Sequence, residues 1–284
     1  MRALCLLFLA LAFQSEAARI QDARPLMGTA VEVIAEGADE RSLGAAAEAA
    51  FREMQRLTDM MSHYDAASVV SQISAAAGVR RVAVPPELAE VLAQARRVSE
   101  RTGGAFDITV GGLPIDYRKL RLEGGRAFLL EKGMRIDLGG IAKLYILEAG
   151  RRVLEAHGVR RALVNGGGDV VAHSDGAPWK VGVRDPRAPQ RLLGTVPLMR
   201  GTVASSGDYE RPHHILDPRT GYPAQGMRGV TLVAREVEAV NGLGPAIMVL
   251  GMEAGKRLME GAGIEGMLVD TAGQLWSSPG LRLD

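Results

Sequence analysis

The chain has 284 residues, with 34 Lys and Arg against 33 Asp and Glu, a formal net charge of +1. That balance excludes a generally basic, nucleic-acid-binding surface, and 47% hydrophobic with 24% charged residues excludes wholesale disorder. A single Cys excludes an intramolecular disulfide framework, a Cys-based zinc cluster and an iron–sulfur site.

Residues 1–18 read as an address: Arg2, an apolar run from Leu4 to Phe13, then Ser15-Glu16-Ala17-Ala18. This is the pattern of a cleaved secretory signal peptide, and the run is too short to span a bilayer. Cys5 does not follow the run, as a lipid-attachment site does. The mature chain is therefore expected to be exported, periplasmic and not membrane-spanning, with one domain over 19–284. Residues 19–24 are polar and begin nothing periodic. Thr29–Ala35 reads as a strand. Leu43, Ala47, Ala50, Phe51, Met54, Leu57 and Met61 recur at helical spacing. Pro85-Pro86 opens a second helix that closes at Gly103-Gly104. Residues 127–130 and 134–137, parted by Glu131-Lys132-Gly133, predict a hairpin. Ile141 to His157 predicts a helix, stopped by Gly158. Strands follow at 161–165, 169–173, 179–183, 192–198, 202–205 and 229–235. Helical patterns cover 239–261, and strands close the chain at 265–269 and 273–276. Strands cluster between helices, which favours an α+β fold with largely antiparallel sheet.

Gly-rich stretches carry the chemical signal: Met27-Gly28-Thr29, 103–109 (Gly-Gly-Ala-Phe-Asp-Ile-Thr), 137–143 (Asp-Leu-Gly-Gly-Ile-Ala-Lys), 165–169 (Asn-Gly-Gly-Gly-Asp), Ser205-Ser206-Gly207-Asp208 and 213–221 (His-His-Ile-Leu-Asp-Pro-Arg-Thr-Gly). Each is weak alone. Asp137-Leu-Gly-Gly either ends a strand and caps a helix, or presents backbone N–H groups to a phosphate, with Lys143 adding a point charge. No stretch matches the phosphate-loop, dinucleotide or nucleophile-elbow patterns.

In order and spacing these stretches resemble the ApbE family, the FAD:protein FMN transferases, from Met27 to about Asp270. Ser62-His-Tyr64-Asp-Ala-Ala-Ser68, the Trp179–Pro186 strand and Ser206-Gly-Asp-Tyr209 complete the match. The resemblance implies an ApbE-like (T-fold-like) α+β fold. It implies FAD as substrate, Mg²⁺ as cofactor and transfer of FMN to a Ser or Thr of an acceptor protein, itself a membrane-associated redox protein, with release of AMP. It implies FAD contacts by Met27, Tyr64, Ala105, Phe106, Asp107, Asp137, Lys143 and Leu216. Phe106 and Tyr64 suit stacking on a flat ring. His214 is the candidate general base, with Asp208 and Asp217 either orienting it or capping turns.

The departures from the family fall mostly on one site. A metal-binding Asp and a Thr four residues later are replaced by Asn241 and Pro245, and a further acidic position by Gly244; the implied remaining ligand is the Gly140 carbonyl. Asn keeps one neutral oxygen and Pro none, so a weak Mg²⁺ site at Gly140 and Asn241 is expected. Leu144, Glu148 and Ser74 also depart from the family residues, and the segment from Leu113 to Asp137 is short. Three functions stay open: an active exported transferase, a catalytically impaired FAD-binding protein, and a maturation factor using the fold as an interaction surface.

Overall fold

The computed structural model describes residues 18–208 and 214–284. The expected signal segment, except Ala18, lies outside the described residues, as does His213. Eight strands form one sheet in the order β1 (Ala18–Leu26), β2 (Thr29–Gly37), β6 (Arg161–Gly166), β7 (Asp169–Ser174), β10 (Arg200–Gly207), β11 (Met227–Ala234), β12 (Glu265–Asp270) and β13 (Leu275–Ser277). Every neighbouring pair is antiparallel.

Both faces of the sheet's centre are buried, so the period of two sorts successive residues into two cores. Val164, Val171, Ala204 and Leu268 face the larger core, which helices α1 (Glu40–Met61) and α4 (Ala142–Ala156) complete. Leu163, Val170, Ala172, Val203 and Met267 face the other side, covered by the hairpin of β8 (Trp179–Asp185) and β9 (Ala188–Leu198). Trp179 is buried there, its indole N–H donating to the His173 carbonyl (3.1 Å) and the Arg161 guanidinium lying 3.9 Å from its ring centre. The only other Trp in the chain, Trp276, sits on the edge strand β13.

Helix α1 starts where the Asp39 carboxylate accepts from the Ser42 N–H (2.8 Å). Helix α4 crosses it closely: a side chain at Gly150 would meet the Met54 sulfur at 2.6 Å. Helix α2 (Val69–Ala75), capped by Ser68, and helix α3 (Pro86–Arg101) flank a small sheet ordered β3 (Val82–Ala83), β5 (Arg126–Leu129), β4 (Leu120–Glu123).

The α+β class and the antiparallel sheets are as the sequence indicates, with four local corrections. Residues 19–24, read as aperiodic, lie within edge strand β1. Its polar side chains alternate between half-buried and exposed, and they pair across the ladder, as Arg19 does with Glu36 (3.1 Å). The hairpin expected from 127–130 and 134–137 does not form. β5 instead turns through Gly124-Gly125, both at positive φ, onto β4. Segment 133–135 lies against 110–113, where Gly112 allows such close approach that a Cβ would sit 2.2 Å from the Gly133 oxygen. The helical patterns over 239–261 begin earlier and are three helices, α5 (Val237–Val240), α6 (Leu243–Leu250) and α7 (Met252–Glu260), parted at Gly242 (φ +83°) and Gly251 (φ +81°). Helix α2 had no sequence expectation.

One buried polar cluster ties α4 to the sheet. Arg151 is paired with Glu148 and Glu155 and points one N–H at the His173 Nδ1 (3.3 Å). Since Arg only donates, Nδ1 accepts, and Nε2–H donates to the Val159 carbonyl (2.6 Å). Burial, assisted by the Arg151 charge, holds this imidazole below its ordinary value. The unfolded chain therefore binds the proton more readily. The contribution of neutral His173 to stability is full above about pH 6.5 and is lost as pH falls from there through the folded value. Chemical denaturation should show His173→Gln less stable than the unmodified protein at pH 8, with the gap narrowing between pH 7 and pH 5. A pH-independent gap would contradict this assignment.

Candidate functional site

Four of the Gly-rich stretches, 27–29, 137–143, 165–169 and 205–208, meet at one end of the large sheet. The β1–β2 turn is two residues, Met27 (φ +52°) and Gly28 (φ +71°), between the paired Leu26 and Thr29. Both positive φ values match the twist of a tight hairpin. Met27 is the only non-glycine residue at positive φ among the described residues, a conformation that costs about 1–2 kcal/mol for an L-residue. Beside it lies the β6–β7 turn, Gly167 (φ +61°) and Gly168 (φ +90°); a Cβ at Gly167 would meet the Thr29 hydroxyl at 2.8 Å. A shallow cleft bounded by residues 23–30, Gln55 and Thr58 opens against the first turn.

Asp169, the first residue of β7, is buried. One carboxylate oxygen lies 2.8 Å from the Lys143 ammonium and the other accepts from the Ser205 N–H (2.8 Å). Lys143 stands in the first turn of α4. The Asp137-Leu-Gly-Gly segment before that helix is an Asx turn: the Asp137 carboxylate accepts from the Gly139 N–H (2.7 Å), and the Asp137 N–H donates to the Ile108 carbonyl (2.8 Å). The segment thus both turns into the helix and brings Lys143 to the sheet end.

The 103–109 stretch is built around Asp107. Its Oδ1 accepts from the Thr109 N–H and hydroxyl (both 2.8 Å), and its Oδ2 from the Tyr117 N–H (2.7 Å). Burial pushes its carboxyl above the usual carboxylate range, against the pull of those bonds. The Asp107 side chain is thus engaged in folding its own loop. Ala105 is buried, and so is Phe106. The Phe106 ring does not stand out for stacking: side chains at Gly140 and Gly242 would meet it at 3.0 and 3.4 Å. It wedges the 137–143 loop against the start of α6. Tyr64 is the opposite case, 88% exposed, with its ring 3.9 Å from that of His63. His63 Nδ1 lies 3.2 Å from the Asp137 carboxylate. His63 escaped the sequence reading, although it stands inside the Ser62–Ser68 run. Ser74, one of the departures, has a job here: its hydroxyl accepts from the Ile136 N–H (3.0 Å).

Asn241 is buried at the break between α5 and α6. Its Nδ2 donates to Gln94 Oε1 (3.2 Å), and its Oδ1 has no partner. Gly140 faces the Pro245 ring, whose Cγ a Cβ there would meet at 3.3 Å. Gly244 lies against Ser206, whose hydroxyl a Cβ would meet at 2.4 Å. Among the described residues no group of three His, Cys, Asp or Glu side chains could hold a metal ion. A neutral amide oxygen, a backbone carbonyl and a proline do not fit a resident Mg²⁺, which prefers charged, hard oxygens.

His214 is exposed, at the start of the second described stretch. Leu216 bridges to Pro223, closing a loop. Asp217 holds that loop: Arg219 pairs with it (2.8 Å) and lowers its carboxyl below the usual range, and its carbonyl accepts from the Gly221 N–H (2.8 Å). It is a turn-capping residue. The structure therefore gathers Met27, Lys143 and the Asp169 turn at the sheet end, and joins Phe106, Gly140 and Asn241 in the adjoining wall.

The ApbE family profile matches residues 27–115 and 112–268. The FAD:protein FMN transferase of Klebsiella pneumoniae is 32% identical over 228 residues, covering 68% of this chain and 71% of the relative. That of Treponema pallidum is 28% identical over 290 residues, covering 84% and 80%. Among solved structures, the ApbE protein of Thermotoga maritima superposes with a TM-score of 0.82 at 29% identity, covering 93% of this chain and 97% of its own.

The place of Phe106 decides what its truncation reports. Phe106→Ala should open a cavity under Gly140 and lower unfolding stability by about 3–5 kcal/mol. Urea denaturation showing a loss below about 1 kcal/mol would return Phe106 to a ligand-facing role.

Proposed function

This chain belongs to the ApbE family, and we propose that it transfers FMN from FAD to a Ser or Thr hydroxyl of an acceptor protein, releasing AMP. The observation that carries this reading is the family match across residues 27–268; the Lys143–Asp169 pair at the sheet end supports it.

The chemistry balances simply. The acceptor hydroxyl oxygen attacks the phosphorus of the FMN half of FAD. The bond from that phosphorus to the bridging oxygen breaks, AMP leaves with that oxygen, and the hydroxyl proton passes to a base. Such a transfer is governed by positioning and by positive charge at the phosphate oxygens. Lys143, oriented by Asp169, supplies that charge. Met27 and exposed Tyr64 offer FAD an apolar edge and a ring face, and Leu216 stands two residues after His214. His214 is our base, since an imidazole takes a proton near neutral pH. We route no step through Mg²⁺, because the residues at Gly140, Asn241 and Pro245 do not fit a resident ion. The same misfit favours a second reading, a FAD-binding protein with impaired transfer.

Two experiments separate these readings. Purified chain incubated with FAD and an acceptor peptide of the Asp-Gly-x-Thr type should add one FMN less water to the peptide by mass spectrometry. His214→Ala should slow this by about 10²–10⁴-fold with FAD binding retained. FAD binding without any mass gain would leave only the second reading. The metal position is probed by Asn241→Asp with Pro245→Thr, which restores a charge and a hydroxyl. Turnover of FAD to FMN and AMP should then rise with added Mg²⁺ more steeply than in the unmodified protein. An unmodified protein already fast and Mg²⁺-dependent, and not improved by the pair, would overturn our account of this position.

A further inference from the structure

We infer that Gln94 is a positioning residue of the transferase site: it determines which atom of the Asn241 amide the site receives. The inference rests on the reading above for the site's purpose, though not for its geometry. Gln94 is a buried polar residue on α3. Its Nε2 donates to the backbone carbonyl of Glu238 (3.3 Å). A carbonyl only accepts, so the Gln94 amide has one orientation, NH₂ toward α5 and oxygen away from it. That oxygen accepts from Asn241 Nδ2 (3.2 Å), so Asn241 in turn has one orientation, NH₂ toward α3 and Oδ1 away from it.

The end of this relay is a buried acceptor. Asn241 Oδ1 is the only buried side-chain nitrogen or oxygen without a hydrogen-bond partner among the described residues. Leaving such an atom unpaired is costly, and a stable fold keeps few of them. Asn241 itself is anchored by its N–H to the Val237 carbonyl (3.0 Å), and Gly242 after it packs on the Phe106 ring that also supports Gly140. Asn241 thus stands beside the wall that carries the 137–143 loop, with its unpaired oxygen shielded from solvent.

The polarity has a chemical consequence. An asparagine amide turned the other way would offer N–H donors, which suit phosphate oxygens. Turned as Gln94 holds it, it offers a neutral acceptor, which suits a hydroxyl or N–H donor of the dinucleotide. Gln94 thus sets the hydrogen-bonding sense of this wall without touching the ligand. Nothing in the Gly-rich motifs points to it.

The test compares the unmodified protein with Gln94→Met, which keeps length and loses both polar atoms, and Gln94→Glu, which keeps an acceptor for Asn241 Nδ2. The readouts are the Asn241 side-chain NH₂ resonances, the FAD dissociation constant by flavin fluorescence, and thermal stability. Gln94→Met should shift the NH₂ resonances and weaken FAD about five- to tenfold, the scale of one hydrogen bond. Gln94→Glu should keep the resonances and FAD affinity close to the unmodified values, while losing stability with the Glu238 bond. A merely structural Gln94 would instead make FAD affinity follow stability in both variants. Unchanged resonances in Gln94→Met, or FAD affinity as weak in Gln94→Glu as in Gln94→Met, overturns the inference. An unmodified protein that does not bind FAD overturns the transferase reading, and the resonances alone then decide the role of Gln94.

Discussion

A buried carboxylate must be paired, and Asp169 is the one on which the site's arrangement depends. Its two oxygens are divided between the Lys143 ammonium and the Ser205 N–H. That division joins the first turn of α4, the β6–β7 turn and the end of β10 at one point. The pairing is demanding, because a buried charge left without its partner is strongly destabilising. So Lys143 is held by the same contact that closes the sheet end. The glycines nearby serve it: Gly167 lets the β6–β7 turn sit against Thr29 without a clash.

Next to this charged corner is a neutral one. Phe106 fills the space beneath Gly140 and Gly242, Pro245 covers Gly140, and Asn241 and Gln94 are locked head to tail. The two corners have opposite characters. One carries a lysine paired with a buried carboxylate, the other a neutral amide pair with apolar support. Asn241, Gly244 and Pro245 therefore do not leave a ruined pocket. They leave a packed wall whose polar atoms are ordered.

Much of this was legible in the residues. The long helices announced themselves by 3.6-residue spacing. The order of the Gly-rich stretches identified the family. What was not legible depended on partners distant in sequence. β1 hides because an edge strand half-covered by long polar side chains shows no apolar alternation. The apolar run at 127–130 had two glycine turns beside it, and only the claim of 110–113 on segment 133–135 decides between them. Phe106 reads equally as a ligand's platform or as a core wedge until Gly140 and Gly242 are seen against it. The roles of Gln94 and His63 rest on contacts with Asn241 and Asp137, 147 and 74 positions away.

The hairpin β8–β9 makes the molecule optically divisible. Trp179 lies beneath it, in the smaller core and under the Arg161 guanidinium, whereas Trp276 sits at the far edge of the sheet near Lys256. No other indole competes with them. Emission from Trp179 therefore reports whether the hairpin still covers its face of the sheet, and emission from Trp276 whether the last strand is still joined to its neighbour. A chain carrying either one alone would reveal whether the two cores melt together or whether the hairpin peels away first, leaving the α1–α4 side and the charged corner intact.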